Sequence, residues 1–210
     1  MVKPREFGLL GDGAQARETA DFALPMVPRF RAVSAQYLRA DRPDLVDIST
    51  SDGTLLATPV VAAIGAPGAR RSVVQQWAGT EFHSVFASTS WVSDSSRIGV
   101  GAIVAPQSVL GTGVVAGDHI LLNIGASVSH DTRLGDYVTI SPGARVAGNC
   151  VIGAGVFIGI GAVVSQRLTI AEGTVIGAGA VVVEDISDPG VYVGVPARRI
   201  RAQEGWASAI

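Results

Sequence analysis

An aliphatic side chain recurs every six residues through the second half of this chain, and that period restricts the possible folds more than any other feature of the sequence. The register holds at sixteen successive positions, all but one of them Val, Ile or Leu: Val92, Ile98, Val104, Leu110, Ala116, Leu122, Val128, Leu134, Ile140, Val146, Ile152, Ile158, Val164, Ile170, Ile176 and Val182. The next residue is usually small, and 16 of the 26 glycines lie between Val92 and Ser187. Neither strand alternation nor a 3.6-residue helical period produces this spacing.

Six-residue repeats of this kind are typical of parallel β-helices, in which a short strand and a turn alternate. The strand buries the aliphatic residue, and glycine permits the positive φ of a tight corner. Three repeats close one triangular coil of about 18 residues, so the register predicts just over five coils, roughly 24 Å tall at the usual strand spacing. The aliphatic position and the position four residues later should face the interior.

The ends of a solenoid must be covered, and we expect the segment before Val92 and the tail from Gly190 to cover them. The last residues, about 202–210, are expected to be helical or disordered. The segment before the repeat has a different pattern, predicting strands at Phe7–Leu10, near 29–33 and at 60–65. A turn over 11–18 leads into a helix to about Leu24, and a second helix is predicted at 68–77. This βαβ order predicts a small parallel sheet.

Gly11 and Gly13 form the turn after the first predicted strand. Such a turn can direct backbone N–H groups and a helix N-terminus at a phosphate. A tight strand-to-helix turn that binds nothing explains the same residues.

Composition excludes several classes of protein. With 16 Lys and Arg against 18 Asp and Glu, the net charge of −2 gives no general attraction for nucleic acid or an anionic membrane. No apolar stretch is as long as a membrane span, and the apolar run after Arg5 is too short for a signal peptide, so we expect a cytoplasmic protein. The single cysteine, Cys150, cannot form an internal disulfide, and its inward position predicts a small hydrophobic side chain rather than a nucleophile.

His130 is the strongest candidate for chemistry among the three histidines. The register places His119 and His130 on outward turns, and His119 is expected at the surface or between subunits. Asp131 follows His130 and can orient its imidazole. Gly148 comes 18 residues later, one coil above, where it leaves room for a substrate and offers an amide N–H. A solvated turn histidine is the alternative interpretation of His130, and the spacing of the histidines predicts no zinc site.

Several stretches resemble the left-handed β-helix, hexapeptide-repeat acyltransferases, and within them the sialic acid O-acetyltransferase and nucleotide-amino-sugar N-acetyltransferase group. The resemblance rests on NIGASVSHD at 123–131, LGDYV at 134–138, SPGA at 141–144 and GVYVGVPARR at 190–199. It implies a left-handed coil, a homotrimer with active sites between neighbouring β-helices, acetyl-CoA as donor, and a sugar amine or hydroxyl as acceptor.

The resemblance also implies roles for single residues. His130 matches the general base, and Asp131 matches the acidic residue beside it. Gly148 matches the position whose amide meets the thioester carbonyl, Ile160 and Ala178 match positions along the pantetheine arm, and Thr139 stands where many relatives carry a second histidine that positions the thioester. Asn123 matches a position near the acceptor sugar, and Gly11, Asp12, Gly13 and Gly65 match the part of the N-terminal domain that holds the nucleotide. A carboxylate at Asp12 would repel a diphosphate unless it points away.

The predicted architecture is an α/β domain with a small, parallel, Rossmann-like sheet (1–85) for the acceptor nucleotide, an all-β left-handed parallel β-helix (86–190), and a C-terminal cap and tail (191–210), assembled as a homotrimer. The predicted activity is metal-free transfer of acetyl from acetyl-CoA to the amine of a nucleotide-linked amino sugar. O-acetylation of a sugar hydroxyl, such as that of sialic acid, is the alternative. A zinc enzyme on a β-helix and a non-catalytic trimeric module also stay open; metal analysis and CoA binding would separate them.

Overall fold

The structure, a computed structural model, describes residues 6–209, and its first part is a small parallel sheet. The elements are β1 (Phe7–Leu10), α1 (Ala14–Phe22), β2 (Pro28–Val33), a 3₁₀ turn (Ala35–Tyr37), β3 (Leu45–Asp47), α2 (Gly53–Leu56), β4 (Val60–Ala62) and α3 (Pro67–Gln76). The strand order is β3-β2-β1-β4, with parallel pairing throughout. The predicted parallel sheet is confirmed, whereas β3 and α2 were not predicted. Residues 1–5, for which the sequence predicts no signal peptide, and Ile210 lie outside the described residues.

The six-residue register forms a three-sided coil of two-residue strands. These are β5 (Val85–Phe86), β6 (Trp91–Val92), β7 (Arg97–Ile98), β8 (Ile103–Val104), β9 (Val109–Leu110), β10 (Val115–Ala116), β11 (Leu121–Leu122), β12 (Ser127–Val128), β13 (Arg133–Leu134), β14 (Thr139–Ile140), β15 (Arg145–Val146), β16 (Val151–Ile152), β17 (Phe157–Ile158), β18 (Val163–Val164), β19 (Thr169–Ile170), β20 (Val175–Ile176) and β21 (Val181–Val182). Every third strand pairs in parallel, as Val128 does with Val146 one coil above. The predicted parallel coil is confirmed.

We call the three sides faces 1, 2 and 3. Face 1 contains β5, β8, β11, β14, β17 and β20; face 2 contains β6, β9, β12, β15, β18 and β21; face 3 contains β7, β10, β13, β16 and β19. The chain turns from face 1 to face 2 at edge 1–2, from face 2 to face 3 at edge 2–3, and from face 3 to face 1 at edge 3–1.

The interior of the coil is filled from the two predicted positions of each repeat. Val128 and Val146 have at most 1% of their surface exposed, and Ala126 and Ala144, at the second position, have none. Cys150 is likewise buried, as expected, and burial raises the pKa of its thiol.

The N-terminal sheet packs on face 1. The outward side chains of this face, Val85, Ile103 and Leu121, share one buried cluster with Phe7 and Leu9 of β1. Outward apolar side chains on the other two faces have no such cover and are exposed, as Trp91 and Val151 show. The first domain is therefore fixed against one side of the coil.

The C-terminal tail differs from the expectation. Strands β22 (Gly190–Val193) and β23 (Arg198–Ala202) form an antiparallel hairpin at the end of the face 1 sheet. The indole of Trp206 then lies on edge 3–1, where Gly155 leaves a flat surface, and Nε1 donates to Glu172 at 3.0 Å. The amide of Gly68 donates to the Ala207 carbonyl at 2.8 Å. The prediction of a helical or disordered tail is wrong, because these contacts hold residues 203–209 in an irregular but packed path.

Candidate active site

His130 lies on the turn between β12 and β13, at edge 2–3, with 59% of its side chain exposed. Its Nδ1 is 2.9 Å from Oδ2 of Asp131, which adopts a φ of +57°. A carboxylate accepts hydrogen bonds only, so Nδ1 carries the proton in the neutral ring and Nε2 carries the free lone pair. His130 therefore presents a proton acceptor at an accessible edge of the coil.

Gly148 lies one coil above His130 on the same edge. The strands that precede the two residues pair in register, and the amide of Asn149 donates to the His130 carbonyl at 2.9 Å. A Cβ on Gly148 would lie 2.6 Å from Nε2 of His130, so any side chain there would overlap the imidazole. The predicted stacking of this histidine and glycine is what the structure contains.

Ile160 and Ala178 lie on a different edge from His130. Gly161 donates to the carbonyl of Pro142 and Gly179 to that of Ile160, so positions 142, 160 and 178 form a ladder along edge 1–2. Ile160 is 60% exposed, and no atom lies within 4 Å of a Cβ placed on Gly161 or Gly179. This ladder is open to a long ligand, but within one chain it lies on another edge from His130 and Gly148.

A pocket of about 710 Å³ opens between the turn after β1, the end of β2 and the segment after β4. Gly11, Asp12, Gly13 and Gly65, the residues expected to hold the nucleotide, all line it. Gly11 has a φ of +112°, which lets the chain turn sharply from β1 into α1.

Asn123 connects the pocket to the coil. This residue follows β11 at the start of edge 1–2, and its Nδ2 donates to Oε1 of Gln15 at 3.1 Å. Gln15 lines the pocket. The predicted acceptor residues of the coil and of the sheet therefore meet close to edge 1–2.

The Asp12 carboxylate is neutralised by arginines. Its Oδ2 accepts from Arg39 at 3.0 Å, its Oδ1 accepts from Arg42 at 3.1 Å, and Arg31 lies 3.6 Å away. Arg42 also makes two hydrogen bonds to Asp44, which raise the pKa of Arg42 and lower that of Asp44, so both stay charged at neutral pH. The repulsion expected between Asp12 and a diphosphate is therefore offset by a surrounding positive charge.

Thr139, which the resemblance places at the thioester, is buried in this chain. Only 2% of it is exposed, and its Oγ1 donates to the Gly65 carbonyl at 2.8 Å and accepts from Arg70 at 2.9 Å. The residue lies on face 1 beneath the N-terminal domain, where α3 covers it. Its hydroxyl is already used in joining the two parts of the chain.

The location of His119 also differs from the sequence prediction. It turns inward under the N-terminal domain, is 5% exposed, and stacks on Tyr137 with 4.9 Å between ring centroids and edge-on against Phe82 at 4.7 Å. Burial lowers the pKa of this imidazole. The expectation of a surface or intersubunit histidine is wrong because the docked domain covers edge 3–1 at this point.

Among residues 6–209, no three His, Cys, Asp or Glu side chains are grouped so that they could hold a metal ion. In the same range, no helix is both long enough and apolar enough to cross a bilayer.

Solved structures that match nearly the whole chain are acetyltransferases. The acetyltransferase domain of PglB from Neisseria gonorrhoeae FA1090 is 29% identical, with 93% of this chain and 100% of that chain covered and a TM-score of 0.83. A variant of perosamine N-acetyltransferase from Caulobacter crescentus, in complex with CoA and GDP-perosamine, is 27% identical, with 95% and 97% covered and a TM-score of 0.79. The predicted resemblance to the hexapeptide-repeat acyltransferases is confirmed.

WeeI from Acinetobacter baumannii AYE is 25% identical, with 93% of this chain and 100% of that chain covered and a TM-score of 0.79. The PglB domain has also been solved with acetyl coenzyme A. No protein-family model and no curated protein matches this chain.

Two groups of residues in this acyltransferase fold were not found from the sequence. Arg70 is fully buried and bonded to oxygens of both domains, although its segment has the polar pattern of a surface helix. The arginines around Asp12 had a visible signal, because Arg31, Arg39 and Arg42 fall within twelve residues. Arginines this close together in the sequence indicate a basic patch, but they do not predict that the Asp12 carboxylate lies at its centre.

Proposed function

We propose that this protein transfers the acetyl group of acetyl-CoA to the amine of a nucleotide-linked amino sugar. The comparisons confirm the broader prediction of an acyl-CoA-dependent sugar acetyltransferase that uses acetyl-CoA as co-substrate. The main support for this N-acetyl transfer is the position of the His130 imidazole. Its Nδ1 lies 2.9 Å from Oδ2 of Asp131, and its Nε2 lies against Gly148, which has no side chain. The acceptor class is supported by the pocket at the turn after β1 and by the GDP-perosamine bound to the Caulobacter enzyme.

In the proposed reaction, His130 is the general base. The neutral amine of the acceptor attacks the thioester carbonyl carbon while Nε2 of His130 removes a proton from the nitrogen. The Gly148 amide stabilises the oxyanion of the tetrahedral intermediate. The C–S bond then breaks, the proton passes from the imidazolium to the leaving sulfur, and the products are an amide and the CoA thiol.

We further propose that the coil is left-handed and that the active protein is a homotrimer whose sites lie between copies. Two observations support this arrangement. The pantetheine ladder and the acceptor pocket lie at edge 1–2, whereas His130 lies at edge 2–3, so one chain cannot bring all of them to one substrate. Apolar side chains stay exposed along faces 2 and 3, among them Trp91, Val109 and Val151, and such rows mark protein contacts.

Thiol release from acetyl-CoA tests the activity directly. We expect release with nucleotide-linked amino sugars and a loss of at least about 100-fold in kcat for His130→Ala, since general-base catalysis contributes about 10²–10⁴-fold. Ser129→Ala, beside the histidine, is the matched control and should keep the parent rate. If His130→Ala turns over within a few-fold of the parent, the base is another group.

The same assay, together with CoA binding and metal analysis, separates the alternatives. Thiol release with free sialic acid but with no amino sugar would establish O-acetylation in place of N-acetylation. Failure to bind CoA at millimolar concentration would leave a non-catalytic module, and stoichiometric zinc in the purified protein would support a metalloenzyme.

A further inference from the structure

The pocket at the turn after β1 contains two side chains that are charged at neutral pH, Asp12 and Arg39, among its described lining residues. Asp12 is 16% exposed and Arg39 is 55% exposed, and a single hydrogen bond of 3.0 Å joins them. The guanidinium therefore lies at the open side of the pocket, with the carboxylate deeper.

The other partners of Asp12 do not line the pocket. Arg42 donates to both carboxylate oxygens, at 3.1 Å and 3.4 Å, and Arg31 approaches to 3.6 Å with only 15% of its side chain exposed. If Arg39 moved away, these two arginines would still neutralise Asp12. Arg39 can therefore leave its carboxylate without exposing an unpaired charge, and of the three arginines it is the one that lines the pocket.

The balance of charge around the pocket favours an anion. Three guanidinium groups (Arg31, Arg39 and Arg42) face two carboxylates (Asp12 and Asp44), which leaves one positive charge in excess. Charge-assisted hydrogen bonds from a planar guanidinium to phosphate oxygens are short and strong.

The end of β2 has no carboxylate. In dinucleotide-binding sheets, an acidic residue about twenty positions after the first glycine binds the ribose 2′-hydroxyl, and an arginine nearby accommodates a 2′-phosphate instead. Here the residues after β2 are Ser34, Ala35 and Gln36, and Ser34 and Gln36 line the pocket with Arg39. The pocket is therefore equipped to recognise negative charge rather than a ribose diol.

We infer that Arg39 is a specificity-determining residue that exchanges Asp12 for a phosphate of the acceptor, so that the pocket selects acceptors by their phosphate charge. This inference rests on the proposed function, because it assigns the acceptor to this pocket. Arg31 and Arg42 hold Asp12 in place during the exchange. The same guanidinium would also bind a carboxylate, so a test must separate phosphorylated ligands from sialic acid.

Calorimetric titration of this chain with GDP and UDP, and with guanosine and uridine as uncharged counterparts, tests the inference. Arg39→Ala should weaken binding of the diphosphate that the parent binds by about 10-fold or more, since hydrogen bonds to charged groups contribute about 1.5–3 kcal/mol. Binding of the nucleoside should not change. Arg39→Lys should recover part of the affinity, and Arg17→Ala, an exposed arginine of α1 outside the pocket lining, should behave as the parent.

Steady-state kinetics separates failure of this inference from failure of the proposed function. Arg39→Ala should raise the acceptor KM by the same factor while kcat and the KM for acetyl-CoA stay unchanged. If the parent turns over and Arg39→Ala has the parent's KM and diphosphate affinity, the inference is wrong and the proposed function stands. Binding of sialic acid that depends on Arg39, with no binding of diphosphates, would also overturn it. If no acceptor supports thiol release by the parent, the proposed function itself fails.

Discussion

The requirement for glycine at position 148 comes from the neighbouring imidazole of His130 and not from the backbone conformation. Its φ is not in the positive range, so alanine fits the turn, but the added Cβ would lie 2.6 Å from Nε2 of His130. The imidazole is exposed and can rotate away, which would remove the base from its place. We predict that Gly148→Ala folds normally and lowers kcat by roughly 10–100-fold, because a misplacement of about 1 Å is that costly. Thiol release and a thermal melt measure the two effects.

Two further glycines provide the controls for this prediction. A Cβ on Gly135 would lie 2.5 Å from the backbone nitrogen of Ala154, so Gly135→Ala should lower the melting temperature. No atom lies within 4 Å of a Cβ on Gly53, so Gly53→Ala should change neither stability nor rate. The interpretation of Gly148 fails if its alanine variant keeps the parent's kcat or melts as early as Gly135→Ala.

The position of a single residue could be predicted where the residue lies within the six-residue repeat, and not where it lies outside the repeat. The positions of His130 and Gly148 follow from the 18-residue coil, because parallel pairing fixes which residues stack. The contact of Asp12 with Arg39 and Arg42 spans 27 and 30 positions and depends on how β2 and β3 pair outside the repeat. No period in the sequence encodes that pairing. The sequence therefore predicted that Asp12 would repel a diphosphate but did not predict the arginines that neutralise it.

At the scale of elements, Arg70 fixes α3 to face 1 and edge 3–1 of the coil. Its side chain is fully buried, its Nε donates to the His119 carbonyl at 2.9 Å, and its Nη1 donates to the carbonyls of Ile64 and Gly65. Its Nη2 donates to Oγ1 of Thr139 at 2.9 Å. Burial lowers the pKa of Arg70 to about 9, so the group is still charged at neutral pH. Because Gly65 lines the acceptor pocket, this contact also sets the position of the pocket on the coil.

Removing the Thr139 hydroxyl tests this connection. We predict that Thr139→Val lowers the free energy of unfolding by about 1–3 kcal/mol, because Arg70 and the Gly65 carbonyl each lose a buried partner. The acceptor KM should rise and the KM for acetyl-CoA should not, since only the pocket moves. Urea unfolding and steady-state kinetics measure these changes. Thr139→Ser keeps the hydroxyl and should restore both; if it behaves as Thr139→Val does, the methyl group rather than the hydrogen bonds is responsible.

His119 makes the docking of the two parts sensitive to pH. Burial lowers the pKa of this imidazole, an effect that outweighs the opposite influence of Asp118. Below about pH 6.5 the unfolded chain takes up a proton at this residue that the folded protein does not, so stability falls as the pH falls. We predict a steeper loss of unfolding free energy between pH 7 and pH 5 in the parent than in His119→Asn.

Asparagine is the suitable replacement, because residue 119 has a φ of +55° and asparagine tolerates that region without titrating. Urea titrations at each pH give the two curves, and every other ionisable group is common to both proteins. Parallel curves would mean that His119 takes up its proton equally in the folded and unfolded states.

Among the elements, those with a long or repeated pattern were predictable. The coil, β1, α1, β2, β4 and α3 follow from periodicity, apolar runs and glycine turns. Strand β3 has three residues, ends in Asp47 and lacks the apolar run that marks β4, and α2 has only four residues. The path of the tail depends on Trp206 reaching glycine-lined coils more than thirty residues earlier in the chain, a contact that its own residues do not encode.

At the scale of the whole molecule, the parts of the proposed site lie on two edges of one prism. The Pro142, Ile160 and Ala178 ladder runs along edge 1–2, close to Asn123 and the pocket. His130 and Gly148 occupy edge 2–3. The six-residue period predicted that each set stacks, and the resemblance implied sites between neighbouring coils. The placement of the two sets on different edges is the geometric support for proposing a second copy. A trimer with each site between neighbours joins edge 1–2 of one copy to edge 2–3 of the next.

Mixing two inactive variants tests this arrangement. His130→Ala disables edge 2–3, and Ala178→Trp should block edge 1–2 by filling the exposed ladder, whereas Ala178→Ser should stay active. When the two variants are co-expressed at equal amounts, they mix within trimers. A site is intact when its edge 2–3 comes from an Ala178→Trp copy and its edge 1–2 comes from a His130→Ala copy. Each edge has the suitable variant in about half of the cases, so about a quarter of the interfaces are intact. We therefore predict about a quarter of the parent's activity per site from the mixture and almost none from either variant alone. Sites contained within single chains would leave the mixture inactive, since every chain then carries a defect.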